Sequence, residues 1–156
     1  MSTSDAWLLE CGDSLLIAVG DHQMVEYIQG PFCYSVPASP SYCDSVLLWH
    51  DNFIPVMDLA ALYDQPIDQT DSVICLLNYQ PAANEPLLQI AIRTNKAPIK
   101  IQVEDEQVCE LSDSIKASPL SFVALTSFMM EISPVVIIDI NKLCSAEFRD
   151  SVTAAT

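Results

Sequence analysis

Positive charge is nearly missing from this chain. Six Lys and Arg residues stand against 21 Asp and Glu, a formal net charge of −15. All six cations (Arg93, Lys96, Lys100, Lys116, Lys142 and Arg149) follow Ile92. Nucleic acid needs clustered cations on its phosphates, and an anionic membrane surface needs the same, so the composition argues against both as partners. Glycine is scarce, at three residues, which leaves no glycine-rich phosphate loop. Histidine is limited to His22 and His50, and no G-x-S-x-G pattern occurs. None of the six cysteines forms a C-x-x-C pair or stands at zinc-ligand spacing from a histidine. No apolar run reaches the roughly 20 residues of a membrane helix. The stretch Trp7–Val19 is broken by Glu10 and Asp13 and has no basic residue before it, unlike a signal peptide. These absences predict a cytoplasmic protein with no catalytic site, no metal, no cofactor and no membrane insertion. In that compartment Cys11, Cys33, Cys43, Cys75, Cys109 and Cys144 read as free, structural thiols.

Apolar residues are abundant. They make up 51% of the chain, and the mean hydropathy is +0.29. A soluble chain of this size with so much apolar character keeps some of it at the surface for a partner. The acidity has two readings: solubility for a greasy chain, or steering toward a basic partner.

A short pattern occurs twice, as Phe53-Ile54-Pro55-Val56-Met57-Asp58-Leu59-Ala60-Ala61-Leu62 and as Pro134-Val135-Val136-Ile137-Ile138-Asp139-Ile140-Asn141-Lys142-Leu143. Each copy reads as a buried strand ending at an Asp whose carboxylate caps a helix or turn. The copies lie about half a chain apart and predict a single domain over residues 1–156, built from two β-rich lobes with a groove between them. Asp58 and Asp139 could be paired for acid–base chemistry; capping explains both more simply.

Further strands are predicted over Ser14–Val19, Ser45–Trp49, Phe53–Met57, Val73–Tyr79, Leu87–Ile92, Ile99–Val103, Gln107–Leu111 and Val135–Ile140. Turn signals fall at Asp51-Asn52, Pro81 to Pro86, and Glu104-Asp105-Glu106. Helices are predicted over Asp58–Tyr63, Asp139–Arg149 and around Met24–Ile28. Pro31, Pro37 and Pro40 mark an irregular connection, and residues 151–156 read as a frayed tail. His50, between Trp49 and Asp51 at a turn, reads as a surface or partner-contact residue. Trp49 reads either as an apolar anchor for a partner or as a core residue of its strand.

Several of these segments, taken in order, resemble the CheW-like family, whose members join chemoreceptors to the histidine kinase CheA. Ser45 to Leu59 is similar to the family's G-V-I-N-L-R-G-x-I-V-P-I-V-D-L. Val36-Pro37-x-x-Pro40 is similar to I-P-x-x-P, and Val135 to Leu143 to the closing L-I-L-L-D-I-E-K-L. The likeness runs from about Leu15 to Leu143. It implies a mostly β fold of two intertwined five-stranded barrel-like lobes with few short helices and a hydrophobic groove. It also implies a non-enzymatic adaptor in a chemosensory or twitching-motility two-component system, with a CheA-type kinase or a chemoreceptor as partner. The alternative function is an acidic decoy that masks a basic surface. The family's N-L-R-G turn is here Leu48-Trp49-His50-Asp51, and its receptor-facing V-x-E-I helix is Val25-Glu26-Tyr27-Ile28. The resemblance thus points to Val25, Tyr27, Ile28, Leu48, Trp49 and His50 as partner-binding residues. Only four residues separate Gly20 from Val25, so the family's second strand looks absent, which predicts an open edge near Met24–Ile28 with room for strand addition or a homodimer.

Overall fold

The computed structural model describes residues 3–12, 15–63, 67 and 72–155. Among these residues, twelve strands form two sheets. The first strands in chain order are β1 (Thr3–Glu10), β2 (Leu16–Gly20), β3 (Met24–Gln29), β4 (Cys33–Ser35), β5 (Ser45–Trp49) and β6 (Asn52–Met57). They are followed by β7 (Val73–Tyr79), β8 (Leu88–Thr94), β9 (Ile99–Glu104), β10 (Val108–Cys109), β11 (Ala124–Met130) and β12 (Ser133–Ile138). One sheet has the order β10-β11-β12-β2-β1-β9, the other β3-β7-β8-β6-β5-β4. Each is five longer strands plus one short edge strand, β10 of two residues or β4 of three. The chain begins in one sheet, builds the whole of the other, and returns, so the lobes are intertwined. The α-helices among the described residues are short: α1 (Ala60–Tyr63), α2 (Asp113–Lys116), α3 (Ile140–Leu143) and α4 (Ala146–Ala155).

The repeated pattern occupies equivalent places in the two sheets. Its first copy is β6, antiparallel to β5 and parallel to β8, with Val56 opposite Ala91. Its second copy is β12, antiparallel to β11 and parallel to β2, with Val136 opposite Ile17. Each sheet among the described residues has this one parallel pair, and each copy runs on through its Asp into a short helix. Strands buried on both faces read as unbroken apolar runs. β7 shows this best, with Val73 to Leu77 all buried. One core joins the lobes, uniting Leu9 and Ile17 of the first sheet with Leu77 and Ile92 of the second.

Six expectations are corrected. Met24–Ile28 is not a helix; it is β3, paired along β7 from Met24 opposite Leu77 to Gln29 opposite Val73. Val25 and Ile28 are β-branched and fit a sheet better than a helix. The apparently absent strand is present upstream, because Thr3–Glu10 pairs with Leu16–Gly20 in a hairpin. The hairpin glycine is therefore Gly12, at φ +92°, where a side chain would be strained, and Gly20 ends the second strand. The polar start of Thr-Ser-Asp hid β1. Asp21–Gln23 form a 3₁₀ turn, closed by the Gly20 N–H donating to Gln23 Oε1 at 3.0 Å, and so three residues suffice to reach β3. β3 is an end strand of its sheet.

The predicted C-terminal helix is two helices. Ser145 breaks it by accepting the Phe148 N–H at 3.1 Å and donating to the Lys142 carbonyl at 2.6 Å, which starts a new helix. The tail is helical as far as Ala155, held by buried Phe148 and Val152 one turn apart. Finally, the Pro31–Pro40 connection contains β4, and the predicted Gln107–Leu111 strand shrinks to β10. Gln107 is drawn into a 3₁₀ turn, its Oε1 accepting the Glu104 N–H at 2.8 Å.

Candidate protein-binding surface

The residues singled out by sequence lie on two elements. Val25, Tyr27 and Ile28 are on β3; Leu48, Trp49 and His50 are at the end of β5 and in the turn after it. Although β3 and β5 are not neighbours in the sheet order, the sheet curls enough to bring them together. The Trp49 indole N–H donates to Glu26 Oε1. Trp49 is half-buried, and with Ile28 and Cys33 it packs on a small core of Leu47, Ile54, Val56, Ile74, Leu76 and Ala91. Val25, Tyr27 and Leu48 face solvent.

The turn itself is a two-residue hairpin, with Trp49 opposite Asn52. His50 and Asp51 both have positive φ, 47° and 65°. Two-residue hairpins need this because its twist matches that of the strands, and Gly usually supplies it. The His50 ring stacks on Trp49, with centroids 4.1 Å apart and planes at 29°, and Asn52 Nδ2 donates to the His50 carbonyl at 3.2 Å. The tip is therefore ordered by side chains where glycine is lacking.

Sequence reasoning missed the most exposed aromatic residues. Cys33, Leu47 and Ile54 lie opposite one another and point into the core. Alternation then turns Tyr34, Val46 and Pro55 outward in one row, and Leu48 and Phe53 outward in the next. Phe32, just before β4, joins them. Phe32 and Phe53 are 73% and 64% exposed. The rings form a chain of edge-to-face contacts, Phe32 to Tyr34 at 4.9 Å and Tyr34 to Phe53 at 6.1 Å, the geometry aromatic quadrupoles favour. Phe32-Cys33-Tyr34 alternates, but three residues between Gly30 and Pro37 are too few to stand out as a strand.

Asp58 and Asp139 serve their own loops. Asp139 precedes α3 in an extended conformation, and its Oδ1 accepts the Lys142 N–H at 3.2 Å. Asp58 is buried; its Oδ2 accepts the Ile67 N–H at 2.9 Å, whereas Oδ1 has no partner at hydrogen-bond distance. Burial raises the Asp58 pKa against the opposing pull of the Ile67 N–H, the Arg93 charge and the Ala61 and Ala60 N–H groups. All six cysteines are free thiols. Burial lifts Cys75 and Cys144 to about 12, so these two stay protonated. Between the lobes a cavity of about 200 Å³ is lined by Met57, Tyr79, Ile90, Leu143 and Cys144 among others. Among the described residues no cluster of three His, Cys, Asp or Glu could hold a metal, and no helix is long and apolar enough to cross a membrane.

Two curled sheets that exchange chain segments and share one core define a two-lobed β fold. More particularly, the chain has a CheW-like fold. It is similar to the scaffolding protein TtCheW from Thermoanaerobacter tengcongensis, with a TM-score of 0.68 at 12% identity, covering 88% of this chain and 90% of that one. No family model matches the sequence, and no curated protein matches it. At this identity the likeness is one of fold.

Proposed function

We propose that this protein is a non-enzymatic, cytoplasmic adaptor of a bacterial chemosensory or twitching-motility two-component system, linking a receptor and a CheA-type histidine kinase. The observation that carries the reading is the superposition on a scaffolding protein over nearly the whole of both chains. The exposed apolar side chains of β3 to β6 support it, since an adaptor works through surface rather than through a reacting group. The His50-Asp51 turn and Tyr27 set it apart from an ordinary coupling protein and suit a specialised or accessory role. The open edge at β3 leaves room for a homodimer.

The test is co-sedimentation of the purified chain with receptor-containing membranes, with and without a CheA-type kinase. Kinase-dependent recovery in the pellet is expected. Recovery no better than that of an unrelated acidic protein would overturn the reading. A second reading, an acidic protein that masks a basic surface, is favoured by one observation: between residues 15 and 94 the only cation is Arg93, which is 3% exposed. Masking by charge alone is lost at high salt; adaptor packing persists.

A further inference from the structure

We infer that the outward aromatic row of Phe32, Tyr34, Leu48 and Phe53 docks a partner protein through an apolar segment that carries lysine or arginine. The inference rests on the adaptor reading and names the chemistry of its partner.

The row is built and ordered. Strand pairing sets Leu48 opposite Phe53 and Tyr34 opposite Val46, and the ring contacts hold Phe32, Tyr34 and Phe53 together. Given the area that aromatic side chains can bury, the three rings expose about 400 Å². One side of a standard interface buries roughly 800 Å². The row is thus large enough to be the apolar centre of an interface.

The fold does not require these rings. The other lobe builds the same hairpin from β11 and β12, where Met129 lies opposite Pro134 in the place of Leu48 and Phe53. That lobe closes its sheet without aromatic residues at these positions. Phe53 also adds little to the core, being 64% exposed.

Charge selects the occupant. Asp44 lies beyond one end of the row and Asp51 at the hairpin tip beyond the other, while Glu26 of β3 reaches the hairpin through Trp49. The one cation between residues 15 and 94 is Arg93, buried and donating to Ser72 Oγ at 2.8 Å. Complementary potentials favour a partner with cations on both sides of its apolar residues. A second copy docking by the same face would set Asp44 and Asp51 against their like. An anionic lipid surface would be repelled for the same reason.

The probe is a synthetic peptide in which Leu and Phe alternate with Lys, compared with its counterpart carrying Glu for Lys. Binding to the full chain is followed by amide chemical shifts and titration calorimetry. The Lys peptide is expected to shift amides of β4, β5 and β6, with the Glu peptide inert. Phe53→Ser should weaken binding about tenfold or more, as loss of an aromatic anchor does. D51K, which leaves the rings in place, should weaken it too, and the circular dichroism of both variants should match that of the parent. Equal binding of the two peptides, shifts outside β4 to β6, or no effect of Phe53→Ser would overturn the inference. So would concentration-dependent self-association abolished by Phe53→Ser, or binding to anionic phospholipid vesicles. The adaptor reading fails separately. If the parent chain co-sediments with kinase and receptor and Phe53→Ser does so equally, the adaptor stands and this surface falls. If the parent does not co-sediment but takes the Lys peptide on β4 to β6, the reverse holds.

Discussion

The Trp49 indole donates its N–H to the Glu26 carboxylate, tying the hairpin after β5 to the end strand β3. These residues are far apart in sequence and not neighbours in the sheet, so their contact fixes how tightly the sheet curls. Trp49 also covers the small core around Ile54 and Leu76. Trp49→Ala is expected to lower unfolding free energy by about 2–3 kcal/mol, less than for a fully buried ring. Trp49→Phe keeps the ring and loses the donor. A double-mutant cycle of Trp49→Phe with Glu26→Gln should return a coupling of about 0.5–1 kcal/mol in urea titrations; additive effects would show that the bond does not hold the curl.

Asp51 adopts a positive φ of 65° without being glycine. Asp tolerates this region better than most residues, but still at a cost. Asp51→Gly is expected to raise stability by about 0.5–1 kcal/mol. A lowered urea midpoint would mean that Asp51 makes a stabilising contact that outweighs its backbone strain.

Asp139 caps α3 through the Lys142 N–H, so Asp139→Ala should cost about 0.5–2 kcal/mol, with Asp139→Asn close to the parent. Thermal melts of the three proteins check this.

Asp58 should make stability depend on pH in the opposite sense from a salt-bridged carboxylate. Its folded-state pKa is raised above the ordinary 3.8 by burial. The folded state therefore binds the proton more readily than the unfolded one. The cost of the buried charge is present in full above the raised pKa, and it fades as pH falls through that value toward 3.8. Relative to Asp58→Asn, which does not titrate, the parent should gain stability across that window. Urea midpoints of both proteins at neutral pH and near the ordinary carboxylate pKa measure it. A parent that loses ground on acidification would show the shift to be downward.

Cys11 and Cys75 are fully buried, and burial also keeps Cys75 and Cys144 protonated. The native protein should react slowly with a thiol reagent at these three positions, since the thiolate is the reacting form. After denaturation all six should titrate. Fewer than six in freshly purified, unreduced protein would reveal oxidation.

Where one segment carries its own signal, the fold was legible in sequence. Ser45–Trp49 and Val73–Tyr79 are strands over their predicted bounds, because unbroken apolar runs of that length have few other uses. The repeat ending at Asp58 and Asp139 revealed the two lobes, since each copy is an apolar strand that runs through an Asp into a short helix. β3 misled, because Met-Val-Glu-Tyr-Ile-Gln has little period of either kind and becomes a strand only by pairing with β7. β1 and β4 were hidden by polar and proline-flanked surroundings. Val25, Tyr27, Leu48 and His50 were read from sequence and lie on the exposed surface. Phe32, Tyr34 and Phe53 were not, because their common face exists only once three strands are in register.

The sheet β3-β7-β8-β6-β5-β4 is made from one unbroken stretch of chain, whereas the sheet containing β2 and β12 needs both ends, with Ile17 set beside Val136. During synthesis the first can assemble as soon as Thr94 has left the ribosome. The second must leave β1 and β2 waiting until β12 is made. Pairings between such distant positions are slow to form, and the waiting β1–β2 hairpin keeps its outer edges unpaired, the state in which chains associate wrongly. Residues 95–138 are thus the stretch whose synthesis separates the completion of one sheet from that of the other.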